Sequence, residues 1–314
     1  MKTATAVALA ASLLAISAAG DATAADEPAC RQVRFADPGW TDITATTATA
    51  GLVLQSLGYE PEVQILSVAV TFRSLQNGDI DVFLGNWMPT QSEMVEPYLE
   101  SGIEVVATNL EGAKVTLAVN REAADEGVKA FADLDRFADR FGRKIYSIEP
   151  GSSANKNLAA IIEADEYGLG DWEVTEASEQ AMLAQVDRAT RRGEWVVFLG
   201  WEPHPMNLKY EIAYLAGAEE YFGPDYGGAT VRTLARTEFL DRCPNLRTFF
   251  SQLVFSLDLE NRMMQAITDE GQAPEAAARA WLSANPDTLD RWLAGVTTID
   301  GAPAIEAARA ALGS

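Results

Sequence analysis

Histidine is almost missing from this chain: its 314 residues include one, His204, and only two cysteines, Cys30 and Cys243. Any His-based triad would have to use His204, which sits between Pro203 and Pro205. The H-E-x-x-H pattern of zinc enzymes, the G-x-S-x-G nucleophile elbow and a C-x-x-C pair are all absent. No metal site, no cofactor and no enzymatic activity is therefore expected. Basic residues are scarce too. The 24 Lys and Arg against 46 Asp and Glu leave a net charge of −22, which opposes nucleic acid and anionic membranes as partners. Beyond the N-terminus there is no apolar run long enough to span a bilayer.

The chain begins with a targeting pattern. Lys2 supplies the positive start, Val7 to Ile16 the apolar stretch, and Ala22-Thr23-Ala24 the small-x-small cleavage pattern. These features predict a signal peptide over residues 1–25, cleaved near Ala24 or Ala25, and a soluble, exported, periplasmic chain. In an exported protein an even cysteine pair favours a disulfide, here Cys30 with Cys243.

One short phrase is written twice. The first copy is Val82-Phe83-Leu84-Gly85-Asn86-Trp87-Met88-Pro89; the second is Val197-Phe198-Leu199-Gly200-Trp201-Glu202-Pro203. Each is a brief apolar run, then Gly, Trp and Pro. Such a run reads as a buried strand. The Trp is expected just past its end, where open α/β sheets place their ligands. Packing is the alternative role for either indole alone, because Trp is usually well buried; the repetition favours a shared crevice.

A third indole occupies the same kind of place. Gln32 to Ala36 reads as a strand, Asp37-Pro38-Gly39 as a turn, and 43–57 as a helix for which Thr41 or Asp42 is a good N-cap. Trp40 and Asp42 thus fall at a strand-to-helix junction. Further strands are predicted at 62–68, 103–108, 115–119, 144–148, 172–177 and 230–235. Helices are predicted at 70–77, 91–101, 156–166 and 179–192, and successively at 245–255, 258–270, 274–283 and 288–293. The alternation gives an α/β class with a parallel-rich sheet in each of two lobes. Asp79 and Asp81 read as a turn before a buried strand. The Gly151 to Asn155 turn can offer backbone N–H groups to an anion or polar group, but it lacks the Walker pattern of a nucleotide site.

What remains is a set of indoles at strand ends with an acid beside them. An indole face attracts a cation that has no N–H donors, by about 0.5–1 kcal/mol when exposed and about 2 kcal/mol or more when desolvated. Three such rings suit one quaternary ammonium group, and Asp42 adds negative charge.

The chain resembles the periplasmic choline-binding proteins of ABC importers, within the wider quaternary-amine and glycine-betaine group. The resemblance rests on Asp37-Pro38-Gly39-Trp40-Thr41-Asp42, on Phe83 to Pro89, on Gly200-Trp201-Glu202-Pro203-His204-Pro205-Met206-Asn207 and on Phe222 to Thr230. It implies a two-lobed periplasmic-binding-protein fold of type II, each lobe a mixed sheet flanked by helices, with the ligand in the interlobe cleft. Lobe I would be 26–112 and 212–314, discontinuous in sequence, and lobe II 113–211. The implied ligand-binding residues are Trp40, Asp42, Trp87, Asn155 and Trp201, and the Cys30–Cys243 pair resembles the family's disulfide. One position departs from the pattern: Val115 stands where choline binders carry a Tyr wall. Either Tyr146 replaces that wall, or the cage is three-sided and admits a larger onium.

The expected function is capture of choline and its delivery to a membrane permease by a monomeric binding protein. The nearest rivals are zwitterionic or onium osmolytes: glycine betaine, dimethylsulfoniopropionate or carnitine. A rival of another class is an exported hydrolase of a choline ester, which needs a nucleophile near His204.

Overall fold

The computed structural model describes residues 26–313; the expected signal peptide, 1–25, lies outside the described residues. Strands β1 (Gln32–Asp37), β2 (Glu60–Ile65), β3 (Val82–Met88), β4 (Ile103–Asn120), β5 (Lys144–Ser147), β6 (Glu173–Glu176), β7 (Val197–Glu202), β8 (Ile212–Tyr214) and β9 (Gly228–Arg236) form one sheet. Its order is β2-β1-β3-β9-β4-β7-β5-β6, with β8 pairing β4. Pairs β1/β2, β1/β3, β5/β6 and β5/β7 are parallel, and every pair involving β4 or β9 is antiparallel.

The sheet has the same topology twice. One half runs β2-β1-β3-β9-β4, the other β6-β5-β7-β4-β8. The repeated phrase therefore occupies equivalent strands, β3 and β7. The two indoles lie inside these strands, not just past them, since pairing runs on to Met88 and Glu202. The glycine of each copy is demanded by a close approach. A Cβ at Gly85 would lie 2.8 Å from the Phe83 ring and 2.9 Å from Ile43, and one at Gly200 3.0 Å from Ala118.

Strand β4 joins the halves. The two strands predicted at 103–108 and 115–119 are one strand of 18 residues. Its first part pairs β9 and its last part β7 and β8, with register shifts between Val105 and Ala113. Those irregularities break the two-residue alternation that a sequence reading relies on. The sheets of the lobes are accordingly mixed, as the resemblance implies, and continuous through β4; the parallel-rich pattern read from the strand–helix alternation holds only for β2-β1-β3 and β6-β5-β7. Residues 212–222 pack on the β5–β7 half: β8 pairs β4, Asn157 donates to the Tyr221 carbonyl at 2.7 Å, and Phe222 contacts the Phe131 ring.

Helix Thr41–Ser56 is buried along most of its length, between the sheet and the C-terminal helices Leu257–Thr268 and Pro274–Ala284. Its threonines are poor helix formers, but Thr46 and Thr49 return their hydroxyls to carbonyls of the preceding turn, which removes the desolvation penalty. Cys30 and Cys243 form the expected disulfide, tying the start of β1 to the entry of helix Pro244–Gln252. Asp81 accepts from the Arg34 guanidinium and from Arg236, each at 2.8 Å, so it is a buried structural ion pair behind β1 and β3. Among the described residues no helix is long and apolar enough to cross a membrane.

Candidate functional site

The carboxyl ends of β1, β3, β5 and β7 converge on one cavity of about 40 Å³. A single water takes roughly 10–15 Å³ of such space, so the cavity suits a compact group of a few heavy atoms. Trp40, Trp87, Trp201, Val115, Ile148 and Leu199 supply its apolar wall; Asp42, Thr90, Gln91 and Ser153 supply its polar atoms. Neither Lys, Arg nor His lines it. Trp40 is 7 % exposed, and Trp87 and Trp201 are each 5 % exposed.

Each indole is held by its own local chemistry. Trp40 itself takes the N-cap position of helix Thr41–Ser56, in place of the Thr41 or Asp42 expected there. The cap comes from elsewhere in the chain. Glu179, at the start of helix Glu179–Arg192, accepts from the Thr41 N–H at 2.9 Å and from the Thr41 hydroxyl at 2.5 Å. A negative group at a helix N-terminus is favoured by the helix dipole, and this one leaves Asp42 free to face the cavity. The Asp37 carboxylate fixes the preceding turn, accepting from Gly39 N–H and the Thr44 hydroxyl, each at 2.7 Å. Trp87 donates its indole N–H to Asp42 at 3.1 Å. Gln91 bridges Asn86 and the Gly85 carbonyl, both at 3.0 Å, and so clamps the end of β3. Trp201 stands opposite Val115 in the β7/β4 register, its carbonyl accepts from Asn207 at 2.8 Å, and its ring meets the His204 ring edge-on at 4.9 Å.

Two buried oxygens around the cavity have no partner: Asp42 Oδ1 and Thr90 Oγ1. Burial and then the charge of Glu179 push the Asp42 carboxyl up to about 8. Glu260 is raised well above the ordinary carboxylate range by burial and then by the charge of Asp42. Glu149 is raised by burial, against the lowering effect of its bond from Trp40. Burial thus favours the neutral form of these three carboxyl groups, and neighbouring acids add to the effect.

Four of the five binding residues expected from sequence come together: Trp40, Asp42, Trp87 and Trp201 line the cavity. Asn155 does not. Helix Ser153–Glu163 starts earlier than predicted, with Ser152 as its cap, so Asn155 lies in the first turn and its side chain points behind the wall. There it donates to the Ile148 and Glu149 carbonyls at 2.9 and 3.0 Å and accepts from the Ser147 hydroxyl at 2.5 Å. Tyr146 does not replace the missing wall either; its hydroxyl accepts from Gln185 at 3.3 Å, away from the cavity that Val115 lines. His204 holds its own turn and meets Glu179. Its Nδ1 accepts from Met206 N–H at 3.0 Å, so Nε2 carries the proton toward Glu179 at 3.2 Å. Sequence reasoning missed Thr90, Gln91, Glu149 and Glu179. Thr90 and Gln91 directly follow the first phrase and could have been found there; the two glutamates carry no local signal.

The family model for the substrate binding domain of ABC-type glycine betaine transport systems, OpuAC, matches residues 31–284. An ABC-transporter choline binding protein solved in complex with choline is 51% identical, with a TM-score of 0.90, over 91% of this chain and 100% of that one. An ABC-transporter choline binding protein in an unliganded semi-closed conformation is 50% identical, with a TM-score of 0.84, over the same 91% and 100%. An uncharacterized protein, ORF1, of Chromohalobacter salexigens is 50% identical over 128 residues, 40% of this chain and 83% of that one. With its fold and its family match agreeing over most of its length, the chain belongs to the OpuAC family of substrate-binding domains of ABC transport systems.

Proposed function

We propose that this protein is the extracytoplasmic binding component of an ABC importer, that it works as a monomer, and that it captures choline or a closely related quaternary ammonium cation for delivery to a membrane permease. The observation that carries this reading is the composition of the cavity: three indoles and the unpartnered Asp42 Oδ1, with no cationic side chain among the lining residues. A trimethylammonium group offers no N–H donors and gains from π faces. A hydroxyl on the same ligand gives Asp42 Oδ1 or Thr90 Oγ1 the partner it lacks. Trp40, Asp42, Trp87 and Trp201 are the binding residues, and Asn155 shapes the turn behind them.

Glycine betaine, carnitine and dimethylsulfoniopropionate fit less well. Their carboxylate would enter a cavity already lined by Asp42, with no Lys, Arg or His there to pair it and only uncharged donors such as the Thr90 and Ser153 hydroxyls. Hydrolysis of a choline ester would need a base beside a nucleophile. His204 is occupied by Glu179 and Met206 and is not among the lining residues, while Ser153 is.

Lobe I is proposed as 26–112 plus the chain from about Gly228, and lobe II as 113 to about Gly227. The packing of 212–222 on the β5–β7 half supports the later second crossing, rather than one at 211. Trp40, Asp42 and Trp87 then come from lobe I and Trp201 from lobe II, so closure completes the cage and ligand favours the closed state through contacts made only there.

Isothermal titration of the purified protein with choline, glycine betaine, carnitine and dimethylsulfoniopropionate tests the reading. Choline is expected to bind most tightly; tight binding of a zwitterion with none of choline would overturn it. Turnover of acetylcholine, instead of stoichiometric binding, would point to the hydrolase.

A further inference from the structure

Two of the three cage indoles hand their N–H to a carboxylate. Trp87 donates to Asp42 within one lobe. Trp40 donates across the cleft: its Nε1 lies 3.1 and 3.0 Å from the two oxygens of Glu149, so the carboxylate straddles the N–H. Glu149 does not line the cavity, and a hydrogen-bonded turn places it. The Asn155 amide and Ser152 N–H both donate to its carbonyl, at 3.0 and 3.3 Å. Its neighbours Ile148 and Ser153 are themselves part of the cavity wall.

We infer that Glu149 is a specificity-determining positioning residue, which acts through Trp40 to make the closed cage select a cation over a neutral molecule of the same shape. This inference rests on the cation-cage reading above. Two physical effects combine. First, a carboxylate on an indole N–H pushes electron density into the ring and deepens the negative potential over its faces, where the quaternary group sits; hydrogen-bonded groups polarise one another in this way in a poorly solvated site. Second, the bond is made between lobes, so the Trp40 face is fixed against the ligand only when lobe II has closed. The Glu149 carboxylate then lies one ring away from the cation without competing for space in the cavity, and the cation favours its charged form against the burial that opposes it. Asp42 does the same for Trp87 and also faces the ligand directly. Glu149 separates the two functions, because it contributes charge through an indole only.

The test compares choline with 3,3-dimethylbutan-1-ol, its carbon isostere, which has the same shape and no charge. Glu149→Gln keeps an acceptor for the indole N–H and removes the charge. Choline affinity is expected to fall about tenfold, while affinity for the neutral isostere stays at the parent value. Equal losses for both ligands would make Glu149 a purely mechanical prop and overturn the inference, as would a variant that binds choline like the parent. A second variant guards against a folding defect. Trp40→Phe keeps a π face but has no N–H, so adding Glu149→Gln in that background is expected to change choline affinity by less than about twofold; additive losses would overturn the coupling through Trp40. A parent protein that binds the neutral isostere as tightly as choline would overturn the cage reading itself, an outcome distinct from any result confined to the Glu149 variants.

Discussion

Thr41 and Glu179 meet across the cleft, with the Thr41 N–H and hydroxyl both donating to one carboxylate, at 2.9 and 2.5 Å. The carboxylate is oriented on its own side by His204 Nε2, and His204 in turn packs edge-on against Trp201. The pair therefore links the segment carrying Trp40 and Asp42 to the segment carrying Trp201. Hydrogen bonds to a charged group contribute about 1.5–3 kcal/mol each. Glu179→Ala is expected to raise the choline dissociation rate by at least about tenfold, with a smaller effect on the association rate. Thr41→Val, which keeps the backbone bond, should show a smaller rise. Stopped-flow tryptophan fluorescence reads both rates, and an unchanged dissociation rate in Glu179→Ala would remove the clasp from the mechanism.

In the proposed site Asp42 is expected to make binding pH-dependent. In the ligand-free cage its carboxyl is pushed from the ordinary 3.8 up to about 8, by burial and then by Glu179. A cation beside it favours the charged form, so below about pH 8 ligand uptake expels a proton. Affinity for choline is expected to rise from pH 6 to pH 8 by at most about tenfold per unit and then level off. Asp42→Asn should flatten that slope. The sign for stability is opposite. The folded free protein holds a proton that the unfolded chain releases above its own carboxyl range, so Asp42 lowers the stability of the free protein as pH rises from about 4 to about 8. Calorimetric titration in buffers of different ionisation enthalpy measures the proton release directly, and a pH-independent affinity between 6 and 8 would contradict it.

In the proposed cage Val115 is expected to set the width. It stands opposite Trp201 in the sheet register and lines the cavity with a short, branched side chain. Val115→Tyr adds a π face and removes room. The ratio of choline affinity to triethylcholine affinity is therefore expected to rise several-fold in the variant, whatever happens to the absolute values. Competition binding against a fluorescent onium reports that ratio, and a ratio equal to the parent's would show that this wall does not gauge ligand size.

Much of this site was legible in the sequence because its signals are local. The phrase containing Trp87 and the phrase containing Trp201 are readable strands, and Asp37-Pro38-Gly39 announces the turn that delivers Trp40. Less legible was anything that depends on the two halves meeting. Glu149 and Glu179 reach Trp40 and Thr41 over separations of 109 and 138 residues, and an acid in the first turn of a helix looks the same whether or not it caps another. The true length of β4 was hidden by its register shifts. Asn155 was misplaced for a smaller reason: with Ser152 capping the helix, the first turn rotates the amide behind the wall and onto the Ile148 and Glu149 carbonyls.

The most direct test of the aromatic cage is a crystal structure of the protein grown with choline, read as the distances from the quaternary nitrogen to the ring centroids of Trp40, Trp87 and Trp201. All three are expected to lie within about 6 Å, with the ligand hydroxyl toward Asp42 or Thr90. A nitrogen seated against fewer than two of these rings, or choline bound outside this cavity, would contradict the account.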